Sequence, residues 1–332
     1  MSCNVHNRGT AVIIVNKNFN RLNKRKWASK DYNNLMTIFY ELGFRVQLVW
    51  NASAERMRRI VREAASLCDN KNSECFVLAI SSHGTETCKP GAGPNGANLY
   101  EHAVNGSDDQ LVFLFELTQI LEKETSLRGK PKICIIQACR NTHHDSKSQK
   151  DMLDTGIAIG TLGDDESDSK KKSSVSESEY SDIKQFFKYD SDDESHSSSV
   201  AETDGPEHLA ATGISDSVPI DCPEDFLIVH PVQPHKMSFR GSKSGSFFVR
   251  SLFDHRKILE KESLLTYLTE VAGSIANKNI KFPSIDKKDL YKMCITLTHR
   301  LKSDVTFHNN TFTRVIPTET YMVHPNNVVM SE

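Results

Sequence analysis

The chain has 332 residues, with 41 Lys plus Arg against 43 Asp plus Glu and a formal net charge of −2. That balance gives no electrostatic reason to expect a nucleic acid or an acidic membrane surface as partner, and no apolar run nears the roughly 20 residues a membrane span needs. Only 38% of the residues are hydrophobic, below a usual globular composition, so part of the chain is expected not to fold. Met1-Ser2-Cys3-Asn4 has no basic region leading into an apolar core, so no signal peptide is expected. The eight cysteines include no CxxC pair, and a cytoplasmic protein with reduced thiols is the expectation.

About ten residues precede a first strand, Ala11 to Val15. A basic loop follows, from Asn18 to Lys26, with Arg21, Lys24, Arg25 and Lys26. Leu35, Ile38, Phe39 and Leu42 recur at helical spacing and predict a helix over Ser29 to Leu42, ended by Gly43. Phe44 to Leu48 alternates as a strand. Ser53 is placed to cap a second helix, whose apolar face is Met57, Ile60, Val61, Ala64 and Leu67. Cys75 to Ile80 is a strand of fully apolar type, and Lys89 to Gly96 is a loop on composition. Leu111 to Leu121 predicts a helix whose start has strand character. Lys132 to Gln137 is the fourth strand. The order βαβαβαβ implies a largely parallel sheet with helices on both faces.

The composition then changes. Asp164 to Asp204 holds 13 acidic residues, 12 serines and 5 lysines in 41 positions, too little apolar surface to offset chain entropy, so disorder is expected there. Order is expected to resume at the strand Asp225 to Val229. Two helices, Gly245 to Leu259 and Ser263 to Ala276, and a last strand, Lys292 to Thr298, follow. Phe312 and Val315-Ile316, in the remaining tail, have no assigned role. Cys75, Cys134 and Cys294 lie in apolar runs and are expected in the core.

Two of these strands end in residues able to do chemistry. Phe76 to Ile80 runs into Ser81-Ser82-His83-Gly84, and Ile133 to Ile136 runs into Gln137-Ala138-Cys139-Arg140-Asn141. Strands that deliver reactive side chains at their carboxyl ends point to a site on that edge of an α/β sheet. A thiolate attacks carbonyls and needs a base beside it at neutral pH, and His83 supplies one for Cys139. The backbone N–H groups of Gly84 and Cys139 are candidates for an oxyanion hole.

The words around these residues carry a family resemblance. The Gln137-Ala138-Cys139-Arg140 word with a His 56 residues upstream (139 − 83) resembles the caspase signature. So do Asn16-Lys17-Asn18-Phe19, Ser82-His83-Gly84, Ser126-Leu127-Arg128-Gly129-Lys130-Pro131-Lys132 and Ser238-Phe239-Arg240-Gly241-Ser242, in that order along the chain. The resemblance implies a caspase-like three-layer α/β sandwich, with a mainly parallel six-stranded sheet, interrupted by a long disordered linker. It divides the chain into a very short prodomain (1–10), a large subunit (11–163), the intersubunit linker (164–204) and a small subunit with a C-terminal tail (205–332).

It also implies a zymogen that, once activated, cleaves proteins after aspartate in apoptosis. His83 is then the general acid/base and Cys139 the nucleophile. Arg25, Gln137 and Arg240 line the pocket for the P1 carboxylate, which guanidinium forks match bidentately. Ser238, Phe239 and Phe247 lie along the peptide, although both phenylalanines are equally placed to be core. No metal or organic cofactor is implied. The implied partners are protein substrates with P1 Asp, an upstream activating caspase and a second copy, paired through the edge strand near Cys294.

The processing site is placed at Asp204, in Ala201-Glu202-Thr203-Asp204-Gly205, with Asp192, Asp216 and Asp154 as alternatives. The chain departs from the family pattern at Asn141, where Gly is usual, at Phe239 and Phe247, where Trp is common, and at Gly241, where Asn is frequent. Asn141 and the long insert leave a second reading, a catalytically impaired homologue that regulates a partner. A third, a peptidase for basic P1 residues, conflicts with Arg25 and Arg240.

Overall fold

A computed structural model describes residues 7–92, 96, 98–141, 160–162, 222–241, 244–281, 292–307 and 320–322. Five strands form its centre: β1 (Thr10–Val15), β2 (Arg45–Trp50), β3 (Phe76–Ser81), β7 (Lys132–Gln137) and β9 (Phe226–His230). They pair in parallel in the order β9-β7-β3-β1-β2. A sixth strand, β13 (Thr296–His299), joins β9 antiparallel and forms one edge. A three-residue strand from the tail, β14 (Thr320–Met322), pairs parallel with β2 and adds a seventh strand at the other edge. The six-stranded α/β sandwich expected from the sequence is therefore present, extended by one short strand.

Side chains alternate along each strand, and both faces of the sheet are covered. Ala11, Ile13 and Val15 of β1 join one buried cluster, and Val12 and Ile14 join the other. Helix α1 (Ala28–Glu41), α4 (Phe247–Asp254) and α5 (Leu264–Ala276) cover the first face. Helices α2 (Ala54–Ala65) and α3 (Leu114–Lys123) cover the second. Ser53 caps α2 as expected, its hydroxyl accepting from the Arg56 N–H. Ser246 and Ser263 cap α4 and α5 in the same way.

The structure departs from the sequence reading at several points. The segment after His83 forms a three-stranded antiparallel sheet of β4 (Gly84–Lys89), β5 (Leu99–Asn105) and β6 (Leu111–Phe113), which the polar, short-period sequence did not signal. The helix read from Gly245 starts at Phe247, because Gly245–Ser246 pairs with Arg240–Gly241 as the ribbon β10–β11. The last strand starts at Thr296, not Lys292. Its partner β9 ends at His230, before a proline with no N–H to donate, so the ladder runs out there. Cys294 is consequently exposed, whereas Cys75 and Cys134 are buried, and burial pushes both of their thiols up to about 12.

The remaining pair, β8 (Gly160–Leu162) with β12 (Asn279–Lys281), is antiparallel. Among the described residues six cysteines are free thiols. Cys68 is disulfide-bonded, against the expectation of thiols throughout. The stretch Asp164 to Asp204, the candidate processing positions Asp154, Asp192, Asp204 and Asp216, and Phe312 with Val315-Ile316 all lie outside the described residues.

The chain order sets where a site can form. From β1 the chain crosses to β2 on one side; from β2 it returns past β1 to β3 and continues to β7 and β9. The direction reverses between β1 and β3, and in such sheets the crevice opens at the carboxyl ends of those strands.

Candidate active site

The reactive side chains gather at that crevice. β3 and β7 run in register up to the pair Ser81 and Gln137, and the Ser82 N–H donates to the Gln137 carbonyl at 3.1 Å. His83 and Cys139 each stand two residues beyond that pair, at adjoining strand ends. The chains stay together past them. The Glu86 N–H and the Thr85 hydroxyl both donate to the Asn141 carbonyl, at 3.0 and 2.9 Å. Gly84 is wedged between: a Cβ there would sit 2.6 Å from Ala138 Cβ and 2.7 Å from the Cys139 carbonyl oxygen. Only glycine lets the two strand ends approach this closely.

The His83 ring is held from the loop after β1. Its Nε2 lies 2.8 Å from the Asn23 carbonyl oxygen. A carbonyl can only accept, so Nε2 carries the proton and Nδ1 is the basic nitrogen. Phe19 packs against the imidazole with ring centroids 4.5 Å apart. A nucleophile, a base and a third group that orients the base are the parts covalent catalysis requires. Asn23 contributes through its backbone, so its identity left no trace in the sequence.

Cys139 is buried, and Ser238 lies directly on it. The Ser238 N–H points to Sγ at 3.4 Å, and Sγ is 3.8 Å from the Ser238 carbonyl oxygen. The Gln137 amide donates to the Ser238 hydroxyl at 2.8 Å. Behind the nucleophile, His102 Nε2 donates to the Cys139 carbonyl at 3.1 Å. His230 stacks near His102, and its burial, with His102 and Arg140 close by, holds it well below its ordinary value and therefore neutral. Burial pulls the Arg140 pKa down, and Glu86, paired with it at 2.8 Å, pulls the other way.

Arg25, Gln137 and Arg240 are fully buried, which rules out a solvated surface charge for Arg25. Arg25 donates to the Asn16 carbonyl at 2.8 Å and to the Ser81 hydroxyl at 3.0 Å. Arg240 donates to Asp31 Oδ2 at 2.8 Å. Two guanidinium groups that arise 215 residues apart (240 − 25) thus face one buried carboxylate. Asp31 escaped the sequence reading because an acid in the first turn of a helix ordinarily needs no explanation beyond the helix dipole.

The structure gathers His83, Gly84, Cys139, Gln137 and Ser238 at the strand ends, with Arg25 and Arg240 beside them. Phe239 and Phe247 share with Cys139 the apolar cluster on the α1 face of the sheet. Each is 8% exposed and belongs to the core cluster under α1, α4 and α5, joined by a Phe247 N–H to Phe239 carbonyl bond of 3.3 Å. Asn141 is absent from the residues with positive φ, so its replacement of the usual glycine costs no left-handed strain.

A family model for the caspase domain matches residues 8–302. The chain belongs to the caspase family. It is 25% identical over 276 residues to Caspase-1 of Spodoptera frugiperda, covering 82% of this chain and 69% of that caspase. It is 26% identical to Caspase-6 of Gallus gallus over 290 residues, 85% of this chain and 73% of the relative. Caspase-7 of Gallus gallus is also 26% identical, over 287 residues, with 84% and 72% covered. Both ends of the crevice, from the β1 loop to β10, fall inside the matched caspase domain.

Proposed function

We propose that the protein is an aspartate-specific cysteine endopeptidase, synthesised as a zymogen. The observation that carries this reading is the pair of buried guanidinium groups, Arg25 and Arg240, beside the Cys139–His83 end of the sheet, where Arg25 donates to the Ser81 hydroxyl and Arg240 lies two residues beyond Ser238. The buried Arg240 Nε has no hydrogen-bond partner among the described residues, and a P1 aspartate presents the carboxylate that a guanidinium fork matches.

The chemistry follows from the placement. His83 Nδ1 takes the proton from Cys139 as Sγ attacks the carbonyl carbon of the P1 residue. The oxyanion formed is stabilised by the Gly84 and Cys139 N–H groups. The protonated imidazole then gives its proton to the leaving amine. Water, deprotonated by the same ring, hydrolyses the thioester and restores the thiol. Each step is served by the side chains and backbone of this chain.

A closed site supports the zymogen reading. Cys139 is 1% exposed under Ser238, so a substrate carbonyl reaches Sγ only after the segment around Ser238 moves. Cleavage after Asp204 by an upstream activating caspase would free that segment's chain. Incubating the Cys139→Ala protein with active enzyme and sequencing the new amino terminus tests this; the expected terminus is Gly205, and another terminus overturns the choice.

The edge strand β13 supports pairing of two copies. Its residues are mostly exposed, Leu297 among them at 37%, and an exposed edge is a template for strand addition. No helix among the described residues is long and apolar enough to cross a membrane. Asn141, which motivated the reading as an impaired regulatory homologue, shows no backbone strain in its support. Fluorogenic peptides ending in Asp, Asn or Arg, offered to the linker-cut protein, decide the reading. Cleavage after Asp alone is expected; cleavage after Arg, or none, contradicts it.

A further inference from the structure

The two pocket arginines do not hold themselves in place. Arg240 lies on the two-residue strand β10, and Arg25 at the end of the loop after β1. Both are fully buried, where a guanidinium with no fixed acceptor is strongly disfavoured. The acid they share is Asp31, in the first turn of α1 and also fully buried.

Both oxygens of Asp31 are committed. Oδ2 accepts from Arg240 at 2.8 Å and from the Ser81 hydroxyl at 2.8 Å. That hydroxyl in turn accepts from Arg25 at 3.0 Å, and Arg25 itself stands 4.0 Å from Oδ2. Oδ1 accepts from the Ser246 N–H at 2.8 Å and the Ser246 hydroxyl at 3.0 Å. A Cβ on Gly245, whose φ is +79°, would lie 2.6 Å from Oδ1. One carboxylate therefore ties the end of β3, the ribbon β10–β11 and the start of α4 to helix α1.

Its charge matters as much as its bonds. Its negative charge sits between the two guanidinium groups, 2.8 Å from Arg240 and 4.0 Å from Arg25. Arg240 spends one terminal nitrogen on Asp31 and turns the other toward the Lys26 carbonyl at 3.5 Å. Its Nε has no hydrogen-bond partner among the described residues.

We propose that Asp31 is the positioning residue of the specificity pocket: it aims Arg240 and Arg25 and so sets the depth at which they meet a carboxylate, so that the site selects one short acidic side chain at P1. This rests on the peptidase reading above. Asp31 touches neither the scissile bond nor the nucleophile and acts through Arg240.

The test is Asp31→Asn in the linker-cut full chain. Asparagine keeps the shape and an oxygen for Ser246, but loses the charge between the two guanidinium groups. The kcat/KM ratio for P1 Asp over P1 Glu is expected to fall by about tenfold or more, carried in KM. A purely structural acid would lower both substrates alike, so an unchanged ratio overturns the proposal, whatever the loss of total activity. Should Asp31→Asn fail to fold, Ser81→Ala removes the hydroxyl that joins Arg25 to Oδ2; the ratio should drop there too, and an unchanged ratio again overturns it. A wild type that cleaves nothing after Asp removes the peptidase reading and the proposal with it, and differs visibly from a selective wild type with an unaltered variant.

Discussion

Replacing Cys139 by Ala is expected to lower kcat/KM for a P1-Asp peptide by about 10,000-fold or more, as loss of a covalent nucleophile does when the rest of the machinery stays. The fold should survive the change. Cys139 is a small buried side chain at a strand end, and Ala leaves only the volume of one sulfur under Ser238. That void costs about 1 kcal/mol, small against a domain's usual stability. Thermal unfolding within a few degrees of wild type, with peptide hydrolysis at background, is the expected pair of results. A variant retaining more than about 1% of wild-type activity contradicts the assignment, because the loss must reach several kcal/mol.

Arg240→Ala should produce the second large effect, and a different pattern. The substitution removes one fork of the P1 pocket and also strips Asp31 of its partner at 2.8 Å. Truncating one member of a buried charged pair costs about 2–4 kcal/mol, roughly 30- to 1,000-fold in kcat/KM for a P1-Asp substrate. Because Asp31 still accepts from Ser81 and Ser246, part of the frame remains. Unlike the Cys139 change, this one should also lower the unfolding temperature, since an acid is left buried beside one guanidinium instead of two. A variant with full activity toward Asp would show that the carboxylate is recognised elsewhere.

The central layer was legible because its strands are buried on both faces. Ala11 to Val15 and Ile133 to Ile136 read as unbroken apolar runs for that reason, and the helices between them carried one-sided stripes, α2 with a serine cap as well. The placement of His83 and Cys139 at one crevice was legible because both residues follow such runs closely, and the parallel register of β3 and β7 turns that sequence pattern into proximity. The small sheet β4–β6 was not, since its strands are short and Thr87, Glu101 and His102 interrupt any apolar period.

The setting of the proposed pocket was half legible. Residue words pointed to Arg25 and Arg240, yet a guanidinium in a basic loop looks the same whether solvated or buried. Burial was decided by Asp31, whose partners Arg240 and Ser246 lie more than 200 residues away. The carbonyl of Asn23 that orients His83 leaves no mark in the sequence at all.

The central claim is that one thiol, Cys139, attacks the carbonyl of an aspartyl residue held by Arg25 and Arg240. A peptide halomethyl ketone ending in Asp, incubated with the linker-cut protein and followed by peptide mass mapping, tests it most directly. The expected result is one adduct, on Cys139, formed at least tenfold faster than with the matching Asn reagent. Labelling of the exposed Cys88 or Cys294 instead, or equal rates with Asp and Asn, would contradict the account.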